Sequence, residues 1–491
     1  MSVRKAASAG LWSTIDVALR QVVQFGVSLI LARLLTPADF GTVALVTFFS
    51  TLASTLLQHG LATALVQRQG STPEEESTVF WFNLLVSMAL AGMLVAMAPA
   101  IGRFYDIPAL QALMWAAAAQ VLLSALAAVP TAILTRDLQF VALMKAGVVA
   151  SIASGIVGVS AALADWGVWA LAAQTVTAAL VNSAAMLWVC GWRPSFTYRF
   201  AAIRPIIGFG SWLSLSAILE VLYAQGFSLL LGKLHGPRDL GFYNRASNTQ
   251  QLPSSTLSTI IGRVALPLFS TRTEEPEAVV RGMRTAISVA MLLNAPAMVG
   301  LILFSDLVIR VLFGPQWVPA AVTLSILAAA GLLTPIHVIN LNVLLAHGGS
   351  RTYFQLEIAK KVVGIACIVV GSIFGLVGLA WSQVIAGVIA LALNAGPARR
   401  RLHYGVWRQI TDLKGIALAC AAMALITWQI PRLIAFPPAL ELGFVTLTGA
   451  LVYFAVGFGL RLHSFVEAWS IARLILDRRQ RTAGLSEPAQ E

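Results

Sequence analysis

Stretches of about 20 apolar residues, each enough to carry a helix across a bilayer, follow one another along the whole chain. Hydrophobic residues make up 58% of the sequence and charged residues 11%, against roughly 25% charged in a soluble domain. No soluble domain fits anywhere. At roughly 35 residues per span and connection, the chain holds about 14 spans. They are predicted near 11–34, 40–66, 78–102, 109–133, 141–163, 167–190, 206–233, 239–268, 285–304, 318–346, 354–374, 376–395, 414–430 and 438–460. The fold class is therefore all-α and polytopic.

The chain is also internally duplicated. Residues 10–41 align without a gap on 210–241, with 11 identities in 32 positions: Gly10, Trp12, Leu19, Gly26, Ser28, Leu29, Leu31, Leu34, Pro37, Asp39 and Gly41 each meet the same residue 200 positions on. Apolar segments resemble one another by chance, but matched Trp, Pro, Asp and Gly positions are less easily dismissed. Six spans separate the copies, so both have the same orientation and the halves are related by an axis along the membrane normal. This predicts an N-terminal lobe over 1–200, a C-terminal lobe over 201–400, two additional spans within 401–476, and a disordered cytoplasmic tail over 477–491. Duplicated bundles of this kind are the pattern of transporters.

With the N-terminus placed in the cytoplasm, 25 of the 33 Lys and Arg fall in cytoplasmic connections or tails. Six fall outside (Arg33, Arg103, Lys233, Arg238, Arg310 and Arg432) and two, Arg20 and Arg245, fall within spans. That bias sets the topology, with both termini cytoplasmic. The net charge of +12 then belongs to the rim of a membrane protein, where Arg399, Arg400 and Arg401 meet anionic phospholipid, and calls for no nucleic acid. No cleaved signal peptide is apparent. Cys190, Cys367 and Cys420 all sit in apolar runs and read as small core residues.

Ionisable side chains at membrane depth are costly and must face a partner or water. Ser13, Asp16, Arg20, Gln24 and Ser28 recur every three or four residues and form one stripe on the first span. Glu220 stands at the position equivalent to Arg20. The two either contact a shared wet cavity, with Asp16 and Glu220 as proton- or sodium-coupling candidates, or simply join the lobes as a buried pair. The eighth span, with Tyr243, Asn244, Arg245, Ser247, Asn248, Gln250 and Gln251, is too polar for lipid. Tyr243, Arg245, Asn248 and Gln251 are predicted to line a cavity suited to hydroxyl-rich sugar, with Arg20 and Gln24 opposite and Pro253 as a hinge; a polar helix–helix seam is the competing reading. His59 and His337 read as hydrogen-bonded packing. Snorkelling accounts for Lys145, Lys360 and Lys361. There is no phosphate-binding loop, metal-ligand spacing or nucleophile constellation, so neither an enzyme nor a cofactor is expected.

The motifs Leu34-Leu35-Thr36-Pro37-Ala38-Asp39-Phe40-Gly41, Leu240-Gly241-Phe242-Tyr243-Asn244-Arg245-Ala246, Gln251-Leu252-Pro253 and Gly262-Arg263-Val264-Ala265-Leu266-Pro267 resemble the Wzx-type polysaccharide flippases. These belong to the multidrug/oligosaccharidyl-lipid/polysaccharide exporter superfamily, and the colanic-acid and xanthan exporters are the most similar subgroup. The resemblance covers roughly 5–400. It implies a two-lobe helical protein of the bacterial inner membrane that moves undecaprenyl-pyrophosphate-linked oligosaccharide by alternating access. Implied partners are that lipid-linked substrate, membrane lipids, and the polymerase and co-polymerase of the same pathway. The alternatives are a cation-coupled drug or metabolite antiporter of the same superfamily and a non-transporting scaffold of a polysaccharide assembly complex.

Overall fold

A computed structural model describes residues 3–57, 65–66, 72–270, 275–347, 349–433, 436–462 and 464–466, with backbone alone at 3–18, 200–216, 255–270 and 350. The predicted tail over 477–491 and His59 lie outside these residues.

Among the described residues, each stretch where a span is expected contains helix. The first six are α1 (Val3–Leu34), α2 (Pro37–Leu57), α3 (Pro73–Tyr105), α4 (Pro108–Arg136), α5 (Phe140–Leu163) and α6 (Val168–Cys190). A long helix α7 (Phe200–Ser270) is interrupted at Gly236, where φ is 84° and ψ 172°. Then come α8 (Pro276–Leu303), α9 (Ser305–Phe313), a single 3-10 turn, α10 (Ala320–Gly331), α11 (Thr334–Ala346), α12 (Ser350–Ser372) and α13 (Gly375–Leu402). The last four are α14 (Val406–Asp412), α15 (Lys414–Thr427), α16 (Ile430–Leu433) and α17 (Pro438–Gly459). Among the described residues, 11 helical stretches are long and apolar enough to cross a membrane.

Punctuation comes from the sequence. Proline opens α2, α3, α4, α8 and α17, where its missing N–H costs nothing and its fixed φ suits the first turn. Thr72 and Glu75 form a reciprocal capping box at the start of α3, and the Asp39 carboxylate accepts from the Thr36 N–H at 2.9 Å and the Thr36 hydroxyl at 2.7 Å at the start of α2. The equivalent break in the second copy falls at Gly236, the counterpart of Thr36, and its left-handed φ suits the residue without a side chain.

The chain forms two compact units, 1–244 and 245–491. In the first, α5 offers a run of glycines to its neighbours. An added Cβ on Gly155 would lie 2.5 Å from Val27 of α1, and one on Gly158 would lie 3.0 Å from Gln174 of α6. Without a hydrophobic driving force in lipid, this close backbone approach is what supplies packing energy. In the second unit, Met283, Ile287, Ile339, Leu391, Ile416, Met423 and Tyr453 bring α8, α11, α13, α15 and α17 into one core. The Tyr453 hydroxyl donates to the Leu292 carbonyl at 2.9 Å.

The two copies of the repeat meet inside the first unit. A Cβ on Gly41 would fall 1.6 Å from the carbonyl oxygen of Pro237, and one on Gly241 would fall 1.9 Å from that of Pro37. The contact is reciprocal, as a two-fold relation requires, and it is backbone against backbone. Lys233 adds a second tie: its ammonium donates to the Phe104 carbonyl, lies 4.7 Å from the Phe104 ring centroid and 3.7 Å from Asp106. Gly41→Ala and Gly241→Ala are each expected to destabilise the detergent-solubilised protein by about 1–3 kcal/mol through overpacking against a backbone that cannot yield. Gly26→Ala, with nothing within 4 Å of the new methyl, is expected to show no such loss and to gain up to about 1 kcal/mol from helix propensity.

Candidate functional site

Polar side chains at membrane depth divide into those that are exposed and those that are sealed. Along the segment of α7 after Gly236 the division runs down one helix. Asn248 and Gln251 are exposed, with Asn244 and Ser247 half-buried beside them. These four recur at three- and four-residue intervals and so share one face. The Gln251 amide donates to the Ser247 hydroxyl at 3.0 Å, which holds the row in register. Exposed amides are costly against hydrocarbon, so such a face calls for polar neighbours.

The adjoining face is sealed. Gln250 and Ser254 are buried, and the Gln250 amide donates to the Ser254 hydroxyl at 3.1 Å. Ser254 donates to the Asn294 side-chain oxygen at 3.4 Å, and the Asn294 amide donates to the Gly331 carbonyl at 3.0 Å. Gly331 is the residue that makes room, since a Cβ there would come 2.1 Å from the Gln250 amide nitrogen. A polar helix–helix seam is thus present on this span, beside a separate row of exposed polar side chains. The seam continues the α7–α8–α10 packing that α9 supports.

Arg245 is not part of the exposed row. It is 7% exposed, and its guanidinium carbon lies 4.7 Å from the Phe313 ring centroid and 5.0 Å from that of Trp317. Both rings are fully buried. A desolvated guanidinium over two aromatic faces gains the cation–π attraction that replaces its lost hydration. Tyr243 is likewise packed, 7% exposed with its ring 4.7 Å from that of Phe227. Pro253 sits in continuous helix, and the backbone departs from helical geometry at Gly236. Aromatic neighbours thus bury Arg245 and Tyr243, the residues expected to line a cavity, and the break in helical geometry lies at Gly236 while Pro253, the expected hinge, stands in helix.

In the first unit, Arg20 is half-buried and donates from Nη2 to the Leu143 carbonyl at 2.7 Å. Its guanidinium lies flat over Gly147, where an added Cβ would meet the central carbon at 1.9 Å. Gly147 is therefore part of the Arg20 site, and nothing in the sequence but an unremarkable glycine marked it. Gln24, one turn further along α1, is exposed, as is Glu220 on the first segment of α7. The Asp16 side chain lies outside the described residues. His337 is held by Asn394 at 3.2 Å, in keeping with a packing role. Replacing Asn294 by Ala is expected to lower stability by about 1–3 kcal/mol, because the Ser254 hydroxyl and the Gly331 carbonyl lose their buried partner. Replacing Asn248 by Ala leaves the same unfolding curve unmoved.

Comparison with known proteins bears on this arrangement. The family described as "Polysaccharide biosynthesis protein" matches residues 30–322. The teichuronic acid biosynthesis protein TuaB of Bacillus subtilis (strain 168) is 25% identical over 384 residues, which are 77% of this chain and 78% of that protein. The lipopolysaccharide biosynthesis protein WzxC of Escherichia coli (strain K12) is 26% identical over 411 residues, 80% of this chain and 81% of its own. Among solved structures, the inward closed lipid II flippase MurJ superposes with a TM-score of 0.75 at 15% identity, over 92% of this chain and 99% of that one. An inward-facing multidrug resistance MATE transporter gives 0.61 at 15% identity, over 82% and 99%. Identities this low establish a shared fold, and the fold is that of multi-pass membrane transporters.

Proposed function

Because this chain belongs to the polysaccharide biosynthesis protein family, we propose that it is a flippase carrying undecaprenyl-pyrophosphate-linked oligosaccharide across the bacterial inner membrane, by alternating access, with both termini cytoplasmic. The observation that supports this most directly is the polar row Asn244–Ser247–Asn248–Gln251, with Asn248 and Gln251 exposed, on a helix of membrane-spanning length.

A sugar–pyrophosphate headgroup cannot enter hydrocarbon without a prohibitive desolvation cost. Side-chain amides offer both donors and acceptors, so they replace water around sugar hydroxyls without demanding one stereochemistry. A guanidinium does the same for phosphate, and its planar fork suits two oxygens at once. Arg20 is the proposed group for this use: Nη2 donates to the Leu143 carbonyl, and Gly147, lacking a side chain, leaves room for the guanidinium. The polyprenyl tail stays in lipid throughout. Movement of an anionic headgroup outward is favoured by the membrane potential, at about 2.3 kcal/mol per charge for roughly 100 mV. Glu220 and Asp16 are the proposed groups for any exchanged proton or sodium ion.

Deletion of the gene is expected to leave polyprenyl-linked oligosaccharide accumulating in the inner leaflet, with drug susceptibility unchanged. A cation-coupled drug antiporter would give the opposite pair of results, read by lipid-intermediate analysis and an inhibitor panel. In complementation, Arg20→Ala and the double variant Asn248→Ala/Gln251→Ala lower polysaccharide export at least tenfold with normal protein level. Arg245→Ala instead lowers the level of folded protein, because its two aromatic neighbours lose their buried partner. Full export by Arg20→Ala together with Asn248→Ala/Gln251→Ala would remove the wet-passage reading.

A further inference from the structure

The connection between α13 and α15 lies beyond the residues matched by the family and carries a surface of unusual composition. Between residues 395 and 420 the sequence holds five Lys and Arg and a single acid, Asp412. That acid is already taken. Its carboxylate accepts from Arg284 at 2.8 Å and from the Tyr404 hydroxyl at 2.9 Å. Burial, then the bond to Asp412, raises the Tyr404 pKa, so the phenol remains a donor. Arg399, Arg400, Arg401, Arg408 and Lys414 are all exposed, and among the described residues none of them is paired with a carboxylate.

The short helix α14 is held rigidly in this field. His403 reverses the chain with φ 53°, and Gly405 then packs on the stem of Arg399, at 3.2 Å from its Cγ to an added Cβ. Gln409 is fully buried and exchanges two hydrogen bonds with Asn340 of α11, at 2.9 and 3.0 Å. Gln409 and Leu413 thus fix the inner face. The outer face presents Trp407, 81% exposed, and Ile410, 44% exposed, one turn apart and flanked by Arg408 and Lys414. An exposed tryptophan and an aliphatic side chain set among unpaired cations, on a helix pinned at the end of a membrane span, match the chemistry of a bilayer surface: apolar groups for the acyl boundary and cations for phosphate.

We propose that Arg399, Arg400, Arg401, Arg408 and Lys414, together with Trp407 and Ile410, form a docking surface for anionic phospholipid headgroups. Through the Gln409–Asn340 and Asp412–Arg284 contacts, lipid bound there stabilises α8 and α11. The proposal stands apart from the identity of the transported cargo.

The test uses the full-length protein in nanodiscs of phosphatidylcholine, with and without phosphatidylglycerol, and reads the unfolding temperature. Wild type is expected to unfold several degrees higher when phosphatidylglycerol is present, and added salt should shrink the increment, because exposed charges are screened. Arg400→Gln/Arg401→Gln/Lys414→Gln should match wild type in phosphatidylcholine and lose at least half of the increment. Trp407→Ala, which leaves every cation in place, should lose part of it. An undiminished increment in both variants would assign the effect to cations elsewhere and overturn the proposal. So would a wild type indifferent to phosphatidylglycerol, or an equal increment from inorganic phosphate added to phosphatidylcholine discs, which would mark a free-anion site.

Discussion

Two glycines set the geometry of the first unit. Gly41 and Gly241 bring the first turns of two helices together until each backbone occupies the space a side chain would need. In water such a contact would be a minor detail beside the burial of leucines. In lipid, where hydrocarbon outside the protein is as apolar as leucine, close backbone approach and hydrogen bonding carry the association. The contact also dictates its surroundings. Each helix must start abruptly, hence the prolines at 37 and 237 and the breaks at Thr36 and Gly236, and each break must satisfy its own N–H groups, as Asp39 does for Thr36.

The second device that recurs is the buried amide. Gln250 with Ser254 and Asn294, and Asn340 with Gln409, each place polar groups between helices with their partners in reach. A buried hydrogen bond adds only about 0.5–1.5 kcal/mol, but an orphaned one costs up to about 3 kcal/mol. Such pairs therefore discriminate among packings more than they add stability. Arg245 between Phe313 and Trp317 extends the same principle to a charge.

Much of this was legible in the sequence. Spans were readable because apolar runs end in prolines, glycines and charges, and the helices begin and end within a few residues of those signals, as α5, α6 and α17 show. The polarity of the helix after Gly236 was legible too, but its division into faces was only half so. Asn248 and Gln251 could be placed on one side from their spacing. The burial of Arg245 could not, because its aromatic partners are about 70 residues away and only the folded chain selects them. Pro253 reads as a breaker in the sequence, yet a proline in a membrane helix can be accommodated by its neighbours, and the departure from helical geometry is at Gly236. α14 was missed because seven residues with one tryptophan and few apolar neighbours look like a loop. Its helix exists through the tertiary bonds of Gln409.

The amide seam along α7, α8 and α10 has a mechanical corollary. Hydrocarbon packing tolerates slippage by fractions of a turn, since one methyl contact is much like the next. Paired amides do not, because an intermediate offset leaves donors stranded with no water to rescue them. Helices interlocked at Gln250, Asn294 and Gly331 resist gliding past one another.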